Sequence, residues 1–469
     1  MTIDQERSEV RGQGWGTPPS LPASESRPPV SADATAGTPT SDQVRRPCRV
    51  ALAGFGTVGQ SVARLLQQSP ADVDLVGVLN RRVAGKRVGW LDDRVRWTES
   101  IDELLTDADV FVELIGGRDP AEAWMRQALD RGISVVTANK QAIAHEGPAL
   151  LAAAAARGCQ LRFEGSVAGG VPVIRAIESG LASDTLTQVA GILNGTCNYI
   201  LTRMEQDGAV FDTALKEAQA LGFAEADPSQ DIDGVDARAK LAILALVAFG
   251  VQAPAASIAA RSIASVTPLD FQYAHRLHCT IRQVARATCV GTPGTLTASV
   301  GPMLVPGTSA LARVQGSENL VTVKGRFGGE TSFGGRGAGG DPTAVAVVSD
   351  VLAIARGARP PTTGPYRRVD HVSSAFATPY YVRFTVTDRP GIIAALASVF
   401  AVHGINIDAI LQEPGFPADR RPFVVSLDAA PSQVLETALA TIAALDFHVL
   451  PPFAMPVLTA AAAAESVVA

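Results

Sequence analysis

The sequence predicts an α/β protein with a doubly wound parallel sheet, a second domain of the α+β type and a C-terminal domain of ferredoxin-like order. Three observations support this fold class. A glycine-rich turn joins an apolar strand to a helix at residues 54–59, strands and helices alternate as far as residue 164, and a βαββαβ pattern begins near residue 378. With 469 residues, the chain is long enough to form several hydrophobic cores.

Composition and charge argue against several classes of partner. The formal net charge is −6 and the pI is about 5.6, so electrostatics give no reason to expect nucleic acid. No apolar stretch has the length and flanks of a membrane span. The five cysteines are scattered without a CxxC pair, which argues against a disulfide framework or a zinc site. We therefore expect a cytoplasmic protein without a membrane or nucleic-acid partner.

The first structured segment carries a GxGxxG pattern at residues 54–59, between an apolar strand and a helix. In that context backbone N–H groups and the helix dipole hold a pyrophosphate, which predicts a Rossmann-type sheet that binds a dinucleotide. A tight turn in another kind of α/β protein is the alternative. The next strand ends in Asn80, Arg81 and Arg82, where no acidic residue is available for a ribose 2′-hydroxyl. The two arginines favour NADP over NAD, unless they are solvated loop charges.

Two further segments could contribute to a site at the edge of this sheet. Lys140 follows the strand that ends at Thr137, so it lies where such sheets bind ligands, or it is a surface charge. Glu164 precedes a glycine-rich loop whose carbonyl oxygens could hold a cation, although a tight turn is the better explanation of the loop taken alone. Cys197 is either a nucleophile or a cysteine that packs a helix.

An acidic segment at residues 222–236 leads into a strongly apolar helix. Asp233 could cap this helix, and Asp236 and Lys240 are four residues apart on one helical face. The pair is either a solvated ion pair or a catalytic pair in which a partly desolvated lysine donates a proton. An EF-hand is rejected, because Lys240 would occupy the position of the bidentate glutamate.

The C-terminal part contains two more patterns. Residues 325–341 are rich in glycine, and the helix that follows could return to the nucleotide-binding sheet and bring Gly339 to a cofactor. After residue 378, an Asp-x-Pro-Gly turn at Asp388 precedes a helix, which suits capture of a small ligand, although a purely oligomerising domain is the alternative. The predicted segments are a disordered tail at 1–46, a nucleotide-binding domain at 47–175 completed by about 335–358, a substrate-binding and oligomerisation domain at 176–334, a linker at 359–377, a ferredoxin-like domain at 378–452 and a frayed tail at 453–469.

Four motifs together resemble the homoserine dehydrogenase family: residues 54–59, 137–140, 194–201 and, most specifically, 222–244. The resemblance covers about residues 47–375, and residues 378–452 resemble an ACT-type regulatory domain. It implies NAD(P)H-dependent, reversible reduction of L-aspartate 4-semialdehyde to L-homoserine, in the biosynthesis of threonine, methionine and isoleucine. It also implies a homodimer or homotetramer and a possible threonine effector.

The resemblance further implies roles for individual residues. Lys240 is the expected proton donor, with Lys140 as the second catalytic lysine, and Glu225 and Asp236 are expected to bind the substrate. Glu164 and the carbonyl groups of Val167, Gly169 and Val171 correspond to a sodium site. The expected cofactor contacts are Gly54, Phe55, Gly56, Thr57, Val58, Gly59, Arg81, Arg82, Lys140 and Gly339. The expected effector contacts are Asp388, Gly391, Ile392 and Asn406.

Two other functions remain open at this point. A semialdehyde dehydrogenase would use Cys197 as a covalent nucleophile. A non-enzymatic sensor of nucleotides and amino acids would combine the same domains without catalysis. The sensor hypothesis leaves the cluster of Glu225, Asp231, Asp236 and Lys240 without a role.

Overall fold

The computed structural model describes residues 46–69, 71–291, 294–360 and 366–459. Of the predicted disordered tail, only Arg46 is described, and it donates a hydrogen bond to Asp109; residues 1–45 lie outside the described part. None of the described helices is long and apolar enough to cross a membrane.

The first sheet is six-stranded and wholly parallel, with the strand order β3-β2-β1-β4-β5-β6. Its strands are β1 (Cys48–Ala53), β2 (Val73–Leu79), β3 (Arg96–Thr98), β4 (Val110–Glu113), β5 (Ser134–Thr137) and β6 (Leu161–Arg162). The helices between them are α1 (Thr57–Gln67), α2 (Ile101–Leu105), α3 (Ala121–Asp130) and α4 (Lys140–Ala156). This order reverses direction between β1 and β4, as in a Rossmann sheet, and it places the ligand crevice at the carboxyl ends of those strands.

The second domain is built on a six-stranded sheet with the order β13-β12-β7-β10-β11-β9. The strands of this region are β7 (Leu186–Ile192), β8 (Val251–Gln252), β9 (Ala259–Ala260), β10 (Cys279–Gly291), β11 (Gly294–Pro306), β12 (Glu318–Gly325) and β13 (Gly329–Arg336). Its helices are α5 (Val173–Arg175), α6 (Gly195–Asp207), α7 (Phe211–Ala220), α8 (Ser229–Ile232), α9 (Val235–Phe249) and α10 (Pro268–Arg276). A π-helical turn (Ala176–Gly180) follows α5. Helix α9 is apolar on nearly all sides because it is buried between this sheet and α4.

The chain then returns to the first domain through α11 (Gly340–Ala355). Val347 and Val351 of α11 share a core with Val62 and Leu66 of α1. This return was predicted from the sequence. It brings the N-terminus of α11 beside the glycine-rich turn that precedes α1.

The predicted linker is not a free segment. Within it, β14 (Arg367–Arg368) pairs in parallel with β8, and Val372 is buried in the core of the second domain. The apolar side chains of this stretch account for the difference, because packing them against the core removes them from water. Residues 361–365 of the predicted linker lie outside the described residues.

The C-terminal domain has the ferredoxin-like strand order β16-β17-β15-β18, and all its pairs are antiparallel. Its elements are β15 (Ala377–Val386), α12 (Ile392–Val402), β16 (Ile407–Leu411), β17 (Arg421–Pro431), α13 (Ser432–Ala443) and β18 (His448–Pro456). Together with the two six-stranded sheets, this domain confirms the predicted fold class.

The two faces of this small sheet have different partners. Side chains alternate along β15, so Tyr380, Val382 and Phe384 pack under α12 and α13, whereas Tyr381 points to the opposite face. On that face Tyr381 and Met455 share a core with α6 and α10 of the second domain. The prediction of a frayed tail from residue 453 is therefore wrong for 453–459, because Met455 is fully buried and β18 continues to Pro456.

Candidate functional site

The glycine-rich turn holds the start of α1 against the end of β1. A Cβ atom on Gly59 would lie 2.1 Å from the carbonyl oxygen of Gly54, so only glycine permits this approach. The cap residue of α1 is Gly56, which has no side chain to bond to the first turn of the helix. The backbone N–H groups of that first turn are therefore available to an anion. This turn borders a cavity of about 410 Å³ lined by Thr57 and Val58.

Three helices begin at this cavity. Asn139 and Lys140 start α4, Gly339 and Gly340 start α11, and Thr57 starts α1. Positive helix ends that converge in this way favour a ligand with several negative charges. Nearby, the buried Glu113 accepts hydrogen bonds from the Thr137 hydroxyl and from backbone N–H groups at the end of β4, which orders the cavity wall.

Not every predicted cofactor residue presents its side chain to the cavity. Phe55 is 1 % exposed and packs edge-on against Trp97 with ring centroids 4.9 Å apart, so only its backbone is available to a cofactor. Arg81 and Arg82 are exposed directly after β2, and neither lines the cavity. They lie at the carboxyl end of the strand next to β1, where the adenosine ribose binds in a Rossmann sheet.

Lys140, Asp236 and Lys240 form one cluster, although Lys140 belongs to a different domain from the other two. Lys140 Nζ lies 2.5 Å from Asp236 Oδ1, and Lys240 Nζ lies 2.7 Å from Asp236 Oδ2. Lys240 also donates a hydrogen bond to the carbonyl oxygen of Leu193 at 2.7 Å. The side chain of Asp236 is 6 % exposed, that of Lys240 12 % and that of Lys140 37 %. The pair is therefore not a solvated surface ion pair.

The charge state of Asp236 follows from its neighbours. Burial by itself would raise the pKa of this carboxyl, but Lys240 and Lys140 outweigh that effect and hold the pKa well below its usual range. Asp236 is therefore ionised and fixes both ammonium groups. The nearby Asp231 shows the opposite result, because burial raises its pKa despite a hydrogen bond from Asn194.

Helix α9 presents Asp236 in its first turn, but the predicted cap is wrong. Asp233 is exposed, and the helix is capped by Gly234, which makes no side-chain hydrogen bond. Gly234 has a φ of +77°, a left-handed conformation that a residue with a Cβ atom rarely adopts. This conformation turns the chain sharply from α8 into α9 and sets the direction in which Asp236 and Lys240 project.

A second cavity of about 650 Å³ adjoins the first and is lined by carboxylates. Glu225, Asp227 and Asp231 border it, and Glu225 is exposed. Lys140 and Lys240 line both cavities. The amine pair thus stands between a space suited to a polyanionic cofactor and a space suited to a cationic substrate group.

Asn194 is a residue of this site that the sequence interpretation did not select. Its Oδ1 accepts the N–H of Cys197 and so caps α6, while its Nδ2 donates to Asp231 Oδ1 at 2.7 Å and to Asp236 Oδ2 at 2.9 Å. An asparagine directly before an apolar helix is a recognisable capping signal. Its bridge to the two carboxylates depends on tertiary structure.

Cys197 cannot serve as the nucleophile of the alternative function. It is fully buried, and its thiol donates a hydrogen bond to the carbonyl oxygen of Asp231 at 3.1 Å. Burial raises the pKa of this thiol far above its usual value, so the reactive thiolate does not form. The structure therefore contradicts the hypothesis of a cysteine-dependent semialdehyde dehydrogenase.

The residues of the predicted sodium site lie in one buried segment, residues 164–171. Glu164 is 3 % exposed, and its two carboxylate oxygens accept the backbone N–H groups of Ile174 and Arg175 at 2.8 and 2.9 Å. Burial raises the pKa of Glu164 to about 7, with a smaller contribution from Asp350. Within the described residues, no group of three or more His, Cys, Asp or Glu side chains is arranged to hold a metal ion, so any cation here would depend on Glu164 and carbonyl oxygens.

The four predicted effector residues do not meet within one chain. Asp388, Gly391 and Ile392 lie between β15 and α12, where Asp388 accepts a hydrogen bond from Arg421 at the start of β17. Asn406 instead donates a hydrogen bond to Asp428 of the same strand. Asp428 lies seven residues after Arg421, so the two residues are roughly 23 Å apart along the strand. The two groups therefore lie at opposite ends of the sheet.

Comparisons with known proteins identify the family of each of the three domains. Residues 54–164 match the family model of the homoserine dehydrogenase NAD-binding domain, residues 172–352 match that of homoserine dehydrogenase, and residues 380–444 match the ACT domain. The chain is 40 % identical over 386 residues to a homoserine dehydrogenase from Mycobacterium tuberculosis, covering 78 % of this chain and 87 % of the relative.

Solved structures give the same result. A homoserine dehydrogenase from Thiobacillus denitrificans has a TM-score of 0.80 and 34 % identity, covering 88 % of this chain and 98 % of its own. A hyperthermophilic archaeal homoserine dehydrogenase in complex with NADPH has a TM-score of 0.58 and 25 % identity, covering 67 % of this chain and all (100 %) of its own. These matches rule out the non-enzymatic sensor. The chain belongs to the homoserine dehydrogenase family and is an NAD(P)-dependent oxidoreductase.

Proposed function

We propose that the chain reduces L-aspartate 4-semialdehyde to L-homoserine with NADPH, and that Lys240 donates the proton. The observation that carries this proposal is the position of Lys240, whose amine borders both cavities and is held by an ionised carboxylate. The reaction belongs to the biosynthesis of threonine, methionine and isoleucine, and we place it in the cytoplasm.

The nicotinamide cofactor, when bound, supplies the hydride that reaches the aldehyde carbon. Negative charge then develops on the aldehyde oxygen, where a fixed ammonium group stabilises it most. Lys240 transfers its proton to this oxygen, and Lys140 stabilises the charge from the cofactor side. No covalent intermediate is required, in agreement with the burial of Cys197.

The carboxylates Asp236 and Glu225 have different roles in this proposal. Both oxygens of Asp236 already accept hydrogen bonds from amines, so Asp236 positions Lys140 and Lys240 next to the substrate. Glu225 is exposed at the edge of the second cavity and is available to the α-ammonium group. In this account Glu225→Gln raises KM for the semialdehyde more than it lowers kcat.

The proposed cofactor is NADP(H), although NAD(H) would also fit the cavity. The support is the pair of exposed arginines after β2, Arg81 and Arg82, together with the lack of an acidic residue at the end of this strand in the sequence. A guanidinium group can bind a 2′-phosphate in bidentate fashion. The test is the loss of cofactor absorbance with aspartate semialdehyde, run side by side with NADPH and NADH. If the protein turned over aspartate semialdehyde neither with NADPH nor with NADH, the proposed function would be contradicted.

A sodium ion at Glu164 is a further part of the proposal. The buried carboxylate, with its raised pKa, would be stabilised by a neighbouring cation, and Val167, Gly169 and Val171 carry carbonyl groups in the same buried segment. The expected result is a higher melting temperature in sodium chloride than in choline chloride at equal ionic strength. The increment should be absent in Glu164→Gln. An equal melting temperature in both salts would contradict a sodium site.

We also propose that threonine binds between the ACT domains of two chains. Asp388 and Asn406 lie at opposite ends of one sheet, so a site that uses both requires two copies, as in a homodimer or homotetramer. Light scattering with and without threonine tests this arrangement. A monomer whose activity does not respond to threonine would contradict it.

A further inference from the structure

A third cavity, of about 190 Å³, lies at the junction between the second domain and the C-terminal domain. It shares no lining residue with either of the cavities that meet at Lys240. The charged and polar side chains that line it are Arg261, Arg286 and Ser299 from the second domain, Ser374 from the segment before β15, and Tyr380, Ser432 and Glu436 from the C-terminal domain.

Arg286 is the unusual residue of this junction. It lies in β10 and is 6 % exposed. Its guanidinium carbon lies 3.7 Å from the ring centroid of Phe376, and its Nε donates a long hydrogen bond of 3.5 Å to Ser299. Throughout the described residues, no carboxylate lies within ion-pair distance of this guanidinium. Burial without such a partner lowers the pKa of Arg286 to about 10.

Another arginine of the same strand shows what a satisfied buried guanidinium looks like. Arg282 is 1 % exposed, but its Nη1 lies 2.8 Å from Glu205 Oε2 and its Nε donates to the carbonyl oxygen of Val314. Removing a cation from water without a partner is energetically unfavourable. Arg286 therefore lacks the negative charge that Arg282 has, and it lines a cavity in which an anion can supply that charge.

The cavity limits the size and chemistry of that anion. A volume of about 190 Å³ is too small for a nucleotide and large enough for a molecule of a few heavy atoms. Guanidinium groups bind carboxylates in bidentate fashion. At the rim, Glu436 Oε1 forms an ion pair with Arg261 Nη2 at 2.9 Å, and both side chains are about half exposed. Glu436 thus offers a carboxylate to an ammonium group on the same ligand.

We propose that this junction binds a small carboxylate, with free α-amino acids as the ligands that suit both charges. The ligand carboxylate pairs with Arg286, and the ammonium group of an amino acid faces Glu436. The site is distinct from the effector residues Asp388 and Asn406, neither of which lines the cavity. Because both domains form its walls, occupancy stabilises their contact.

The test measures binding to the full-length protein by calorimetry and thermal shift, with acetate, glycine and L-threonine as probes and chloride at equal ionic strength as the reference. At least one carboxylate should raise the melting temperature above the chloride reference. Arg286→Met should weaken its binding at least about tenfold, a loss on the scale of one charge-assisted hydrogen bond, whereas Arg286→Lys should retain part of it. Asn406→Ala is the matched control and should leave the binding of acetate and glycine unchanged.

Several outcomes would overturn the proposal: no probe exceeds chloride, Arg286→Met binds as tightly as the original chain, or Asn406→Ala removes the binding of acetate and glycine. Glu436→Gln provides a test that does not depend on the folding of the Arg286 variants, because Glu436 is at the surface. This substitution should weaken glycine and leave acetate unchanged. Equal affinities of glycine for Glu436→Gln and for the original chain would contradict the proposed orientation.

Discussion

Two buried aspartates, Asp236 and Asp270, lie in the first turns of helices and are each neutralised by cations. Asp236 forms ion pairs with Lys140 and Lys240. Asp270 is met by Arg383, accepts a hydrogen bond from the Tyr381 hydroxyl at 2.6 Å and forms the capping box at the start of α10. The cations of Asp236 border two cavities, whereas Asp270 and its partners are enclosed between α10 and β15.

The difference shows which properties turn a buried ion pair into a site for chemistry. A lysine amine can give up its proton in a protein, but a guanidinium group stays charged. The amines also face space that a substrate and a cofactor can enter, while the Asp270 network joins the ACT domain to the second domain and lines neither cavity. We therefore propose that the first ion pair serves catalysis, whereas the second holds two domains together.

Removing the amine of Lys240 should give the largest effect. Lys240→Ala is expected to lower kcat by a factor of about 10²–10⁴, because general-acid catalysis contributes on that scale. Steady-state kinetics with saturating cofactor measure the effect, and Lys240→Arg is the matched control that keeps the charge but releases its proton poorly. Turnover close to that of the original chain would remove Lys240 from the proposed role.

Asp270→Asn should affect stability instead of catalysis. Breaking a buried ion pair on one side costs about 3–5 kcal/mol, because Arg383 is left without its partner. The midpoint of denaturant unfolding should fall, while kcat per folded molecule should change less than about threefold, since Asp270 touches neither cavity. A large loss of kcat without a loss of stability would reverse the distinction between the two aspartates.

The arginines after β2 should influence cofactor choice only. Replacing Arg81 and Arg82 together with alanine should lower kcat/KM for NADPH by about 10–100-fold, the scale of one or two charge-assisted hydrogen bonds. The value for NADH should stay the same, which makes NADH the internal control. An equal loss with both cofactors would show that these residues do not read the 2′-phosphate.

The smallest effect is expected at Cys197. Cys197→Ser should keep turnover within about threefold, because the thiol is buried and donates only to the Asp231 carbonyl. Its raised pKa and burial should also protect it from alkylation in the folded protein. Mass spectrometry after iodoacetamide treatment measures this protection. Complete loss of turnover in Cys197→Ser would revive a thiol mechanism.

The sequence predicted what depends on local pattern. The GxGxxG turn, the alternation of strands and helices and the βαββαβ order each identified a domain correctly. Spacing along one helix also placed Lys240 beside Asp236. The resemblance named Lys140, but nothing local showed that it would reach the same carboxylate from another domain.

The errors arose where tertiary packing decides the outcome. Asp233 is a favourable capping residue, yet the sharp turn between α8 and α9 requires Gly234 at that position. The segment after residue 453 has a weak pattern, yet the ACT sheet needs Met455 to fill the core that it shares with α6. For Asp388 and Asn406 the sequence could not show that one site using both residues requires two chains, because only the strand register places them at opposite ends of β17.

The most direct test of the central claim is chemical rescue of Lys240→Ala. If the amine held by Asp236 is the proton donor, adding methylamine should restore part of the lost kcat in proportion to the concentration of its protonated form. The same addition should leave the Asp270→Asn variant unchanged. A Lys240→Ala enzyme that needs no amine and turns over like the original chain would contradict the account.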